Sequence, residues 1–159
     1  MLLVKMENFR YCIWACADPK HPWEKYNNAS RQGLHITVMS RLPNLEIALQ
    51  TFDRIIRDSN TTNFFLDPTT PIRETTPHRF NSLAFKAYPL TWKPPWWPRD
   101  AHISFYYSYG KEKFKNFSQL FYNQQNIQKN NSATITNFKL VCCRGHFNRH
   151  WIVVKEHVV

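Results

Sequence analysis

The feature that most restricts what this chain can fold into is a change of apolar period that occurs twice. Stretches of strand-like composition give way after Pro43 to Leu45, Ala48, Leu49, Phe52, Ile55 and Ile56 at helical spacing, with Pro43 and Asn44 suited to a helix start. The same switch returns at Phe114, Phe117, Leu120 and Phe121. Around these two amphipathic segments, strands are predicted over 9–17, 33–39, 64–66, 80–88, 101–107, 135–143 and 150–158, where aromatic and β-branched residues gather. Breaker-rich stretches separate them: Asp18-Pro19-Lys20-His21-Pro22, Asp67-Pro68, the Thr- and Pro-rich loop from Thr69 to Pro77, the stiff segment 89–98, an Asn/Gln-rich turn over 123–131, and a joint around Gly145. The order is strand, strand, helix, strand, then strand, strand, helix, strand, strand. At 159 residues this is one domain spanning the chain, with two related halves at 1–77 and 78–159.

Each half carries one His-x-hydroxyl triplet on a predicted strand, Leu34-His35-Ile36-Thr37-Val38 and Ala101-His102-Ile103-Ser104-Phe105, and an amphipathic segment follows each. One such triplet is common by chance. Two of them in equivalent places are not, and because residues i and i+2 share a strand face, each sends an imidazole and a hydroxyl to the same side. Met39 shares the face of His35 and Thr37, and Tyr106, if its strand is regular, that of His102 and Ser104. The other histidines, His21, His78, His146, His150 and His157, have no matching hydroxyl and read as surface residues.

At these two motifs the chain resembles the 2H phosphoesterase superfamily, the LigT-like enzymes defined by two His-x-Thr/Ser motifs. The resemblance spans nearly the whole length, including Gly33 before the first motif and Trp151 in the last strand. It implies a bilobal α+β fold, two antiparallel sheets related by a pseudo-twofold across a central cleft with helices outside. It also implies that His35 and His102 act as acid and base, in either orientation, on a phosphodiester held by Thr37 and Ser104, without a metal or any other cofactor.

Around these four, the candidates for substrate contact are aromatic or basic. Tyr106 can meet a phosphate or base, or pack into the core, and Tyr11 is a weaker candidate of the same sort. Trp96 or Trp97 can cap a nucleobase, with Arg99 or Lys93 on its phosphate, or else pin their proline-rich loop to the core.

Charge sets the partner class. Lysine and arginine exceed aspartate and glutamate by +10, a field that favours anions, with an unliganded basic surface as the bland alternative. Substrates implied by the resemblance are 2′,3′-cyclic phosphates on RNA ends, 2′,5′-oligoadenylate and cyclic dinucleotides. The 67-residue interval from His35 to His102 and the minimal length resemble compact phage and viral members that degrade nucleotide messengers and blunt host immunity. The leading expectation is therefore cleavage of a 2′,5′-containing messenger, either a cGAMP-type cyclic dinucleotide or 2′,5′-oligoadenylate. An RNA 2′,3′-cyclic phosphodiesterase and a non-catalytic RNA- or nucleotide-binding module are the alternatives.

The amino-terminal residues lack the pattern of a secretory leader and no apolar run reaches membrane-spanning length, so the expected location is cytoplasmic, that of the host cell for a viral protein, with no membrane partner. Cys12, Cys16, Cys142 and Cys143 fall in strand-like stretches and are expected as buried thiols, not disulfides or zinc ligands.

Overall fold

The computed structural model describes residues 9–75, 80–109, 117–144 and 151–159. Eight strands and two α-helices are present among them: β1 (Phe9–Ala17), β2 (His35–Leu42), α1 (Leu45–Arg57), β3 (Thr62–Leu66), β4 (Ile72–Thr75), β5 (Phe80–Pro89), β6 (His102–Tyr109), α2 (Phe117–Lys129), β7 (Ser132–Arg144) and β8 (Ile152–Val158). A short 3-10 helix, Pro22–Tyr26, lies between β1 and β2. The boundary at 77 and 78, Phe114, Gly145, His78, His146 and His150 fall outside the described residues.

The protein is a sheet-rich α+β fold. Its strands run β1-β2-β6-β5-β3-β7-β8, with β4 on β5 and a further pairing of β1 with β7, so that six of them close a ring. All the pairings between strands are antiparallel. The eight strands are thus one hydrogen-bonded network, not two detached sheets. Its narrowest seam is between β2 and β6, which meet at Ile36 and Ile103 alone. Both motif strands border that seam.

Local chemistry explains most elements. Asn44 caps α1 by accepting from the Ile47 amide at 2.8 Å, and Ala48, Thr51, Phe52 and Ile55 bury its apolar stripe. The core beneath holds Ile13, Phe52, Phe64, Phe85, Phe105 and Phe138, all fully buried. Each fully buried large side chain contributes about 1.5–3 kcal/mol over its exposed state.

Two expectations are corrected. The loop predicted from Thr69 to Pro77 contains β4, because Ile72 to Thr75 pair with Ala84 to Asn81 of β5. The Asn/Gln-rich stretch is not a turn but the body of α2, where Asn123 and Ile127 are buried one turn apart. Glutamine is a fair helix former, and this stripe supplies the packing that a polar composition hid. No helix among the described residues is long and apolar enough to cross a membrane.

Candidate active site

Register brings the two motifs together. Ile36 of β2 pairs with Ile103 of β6, and both are fully buried, so the alternate residues stand on the opposite face of the network. By that register His35 lies across from Ser104, and Thr37 across from His102. The two histidines are then diagonal to each other across the seam.

The two motifs share further details beyond their residue types. His35 Nδ1 donates to the carbonyl of Gly33 at 2.9 Å, and His102 Nδ1 donates to the carbonyl of Asp100 at 2.8 Å, in each case two residues back along the chain. A carbonyl can only accept, so Nδ1 carries the proton and Nε2 carries the lone pair in both rings when they are neutral. Directly after each hydroxyl residue the strand bulges: Trp14 pairs with Thr37 but Ile13 with Met39, and Ala84 pairs with Ser104 but Leu83 with Tyr106. Bulges recur beside active sites because they re-aim the side chains that follow.

The loop before the first motif supports both. Gly33 has φ +99°, a conformation that side chains other than glycine rarely adopt, and it aims the carbonyl that holds His35. Glu24 Oε1 accepts from the Leu34 amide at 2.6 Å and Oε2 from Asn27 Nδ2 at 3.1 Å. Asn28 reaches across to β6, donating to the Phe105 carbonyl at 2.7 Å and accepting from the Tyr107 amide at 3.2 Å. One loop therefore holds the first histidine and the bulge after the second motif.

His35 has a distinctive environment. Its ring lies flat on Trp14, centroids 3.6 Å apart and planes 10° from parallel, while Trp151 tilts against the same indole at 5.7 Å. Desolvation among these rings pushes its pKa down to about 4; the Gly33 carbonyl opposes this, and the positive charges of Lys139 and His102 add to it. His35 is therefore neutral at pH 7. Lys139, across from Trp14 on β7, donates to the Gln32 carbonyl at 2.8 Å, and Lys86 of β5 lies directly across from His102.

Sequence reasoning missed Trp14, Lys139, Lys86 and Gln32. The parity of β1 distinguishes them from Tyr11: Cys16 pairs with His35 and Trp14 with Thr37, so the even-numbered residues Trp14 and Cys16 share the motif face. Tyr11 packs against the main core instead.

The other sequence candidates sit as follows. The bulge after Ser104 sets Tyr106 opposite Leu83, which is fully buried, and Tyr106 packs against the core. The strand is not regular there, so Tyr106 does not follow His102 and Ser104 onto their face. Met39 is displaced from the face of Thr37 in the same way. Trp96 and Trp97 are core residues, packed on Phe138 and Phe64, and so pin their loop; the tryptophan this segment exposes is Trp92. Arg99 and Lys93 are exposed. A pocket of about 300 Å³ lined by Val38, Ile55, Arg54, Asp58 and Trp96 involves α1 and the buried side of β2, away from the four motif groups.

No family model matches the chain, and no curated protein matches it. Among solved structures, the crystal structure of E. coli LigT complexed with 3′-AMP is similar over 96% of this chain and 99% of that chain, at 12% identity and a TM-score of 0.42.

Proposed function

We propose that this chain is a phosphodiesterase of the 2H type, in which His35 and His102 transfer protons on either side of one nucleotide phosphodiester. The observation that carries the reading is the matched pair: two histidines on one face, each with Nδ1 tied to a carbonyl and Nε2 left to act, each beside a hydroxyl. On this reading the halves are two lobes related by a pseudo-twofold that exchanges β1 with β5, β2 with β6, α1 with α2 and β3 with β7.

On this reading His35, which burial keeps unprotonated, is the base and His102 the acid. For a 2′,5′ linkage the neighbouring 3′-hydroxyl is the nucleophile, which removes much of the entropic cost of recruiting water. His35 Nε2 takes the hydroxyl proton as the oxygen bonds to phosphorus; the bond to the departing 5′ oxygen breaks, and protonated His102 supplies its proton. The products are a 2′,3′-cyclic phosphate and a free 5′-hydroxyl. Thr37 and Ser104 donate to the non-bridging oxygens as charge accumulates there, an effect of about 2–4 kcal/mol where such donors have been removed from other enzymes.

The substrate class is a 2′,5′-containing nucleotide, cyclic or linear. Lys86 and Lys139 place positive charge on both sides of the four groups, which favours a ligand with phosphate beyond the scissile one. The test is incubation in EDTA with a 2′,5′-linked diadenylate, a cGAMP-type cyclic dinucleotide, a 3′,5′-linked diadenylate and a 2′,3′-cyclic-ended oligonucleotide, with products identified by mass. Turnover of the 2′,5′ compounds to cyclic phosphate is expected. Preference for the cyclic-ended substrate would move the reading to RNA-end processing, and binding without turnover of any would replace the enzyme with a binding module.

A further inference from the structure

Two thiols outside the proposed mechanism lie unusually close. Cys12 of β1 pairs in register with Val141, and Cys143 of β7 with Arg10, which makes the two cysteines diagonal neighbours on one face. Their sulfurs are 2.9 Å apart and both side chains are half-buried, reachable by a small reagent. They belong to the same small cluster as Trp14, Cys16 and Trp151.

The environment also ranks the two. Cys12 is held below the ordinary thiol range, first by the hydrogen bond from Cys143 and, against the opposing effect of burial, by the backbone of Arg41, a non-glycine residue at φ 59°. Cys143 is pushed the other way, chiefly by that same partner. Cys16, buried by comparison, is pushed up to about 12 by desolvation and is a poor nucleophile.

We propose that Cys12 and Cys143 are a peroxide-reactive dithiol site that closes to an intramolecular disulfide between β1 and β7. The Cys12 thiolate attacks one oxygen of hydrogen peroxide, the O–O bond breaks, and the departing hydroxide takes up a proton to leave as water, giving a sulfenic acid. The Cys143 sulfur then attacks Cys12, the S–O bond breaks, and the hydroxyl leaves with the Cys143 proton as a second water. Two electrons pass from the thiol pair to the peroxide. The disulfide ties the strand carrying Trp14 to the strand carrying Lys139, beside the base.

The experiment treats the reduced full-length protein with a few equivalents of hydrogen peroxide, blocks remaining thiols with N-ethylmaleimide, and maps peptides without reduction. The expected result is a loss of two hydrogens per chain, a Cys12–Cys143 cross-linked peptide that dithiothreitol reverses, and alkylation of Cys12 at least 10-fold faster than of Cys16 beforehand. Cys143→Ser should stop at a Cys12 sulfenic acid that dimedone traps. The proposal is overturned if all four thiols remain alkylatable after peroxide, if the link joins other cysteines, or if it joins two chains. The wild-type map alone decides these outcomes, and none of them depends on phosphodiesterase turnover.

Discussion

At the scale of single residues, the environment of His35 has a consequence for stability as well as chemistry. Its folded pKa of about 4 lies below the ordinary 6.5, so between those values the unfolded chain takes up a proton that the folded chain does not. Stability is therefore full above about pH 6.5 and falls as pH drops toward 4, by up to about 3 kcal/mol from this one group. Urea midpoints at pH 7 and 4.5 measure it. His35→Asn should flatten that part of the profile relative to wild type, and an identical pH dependence in the variant contradicts the assignment. Gly33→Ala tests the carbonyl behind the ring. The new side chain is strained at φ +99° and moves the acceptor that orients Nδ1, so kcat is expected to drop about 10-fold or more with KM little changed. A variant with unaltered kcat would show that Gly33 serves the turn only.

Elements show what can be read from a sequence and what cannot. The helix α1 was legible because period, cap and start coincide at Asn44 and Leu45; Asn44→Ala should cost about 1 kcal/mol in thermal or urea unfolding and leave kcat alone. The motif faces of β2 and β6 were legible from period alone, but only as far as the bulges. Each bulge inserts one residue, Val38 or Phe105, and inverts the parity of whatever follows, with no glycine to announce it. That is why Tyr106 and Met39 were expected on a face they do not share. On β1 both faces are apolar, Ile13 and Ala15 against Trp14 and Cys16, so composition offered no contrast with which to prefer Trp14 over Tyr11. The contacts that build the surroundings of His35, Lys139 on Gln32, Gln32 on Trp151 and Lys139 across from Trp14, span 107 to 125 positions of chain, which no local pattern encodes. The segment 89–98 is pinned to the core by Trp96 and Trp97, while its residues 90 to 93 stay exposed. Trp97→Ala should therefore destabilise the fold by about 3–5 kcal/mol in urea while surviving protein keeps its KM; a raised KM at unchanged stability would restore the base-capping role.

For the molecule as a whole, the ring of strands is held tightly along β1 and β7 and joins at a single pair between β2 and β6. The two histidines come from different halves of the chain and meet only across that join, so the whole fold must form before the site exists. The +10 charge acts on the same scale. With Lys86 and Lys139 flanking the motif groups, KM for an anionic dinucleotide should rise several-fold between about 50 and 200 mM salt while kcat holds. A salt-independent KM would deny these charges a role in capture. The central claim is that both imidazoles serve one phosphorus atom, and a double-mutant cycle on kcat/KM with a 2′,5′-linked diadenylate reaches it most directly. Groups that act as a unit are strongly non-additive, so His35→Ala and His102→Ala are each expected to lose about 10²–10⁴-fold and the double variant scarcely more than the worse single one. Losses that multiply, or a single variant that retains wild-type turnover, would contradict it.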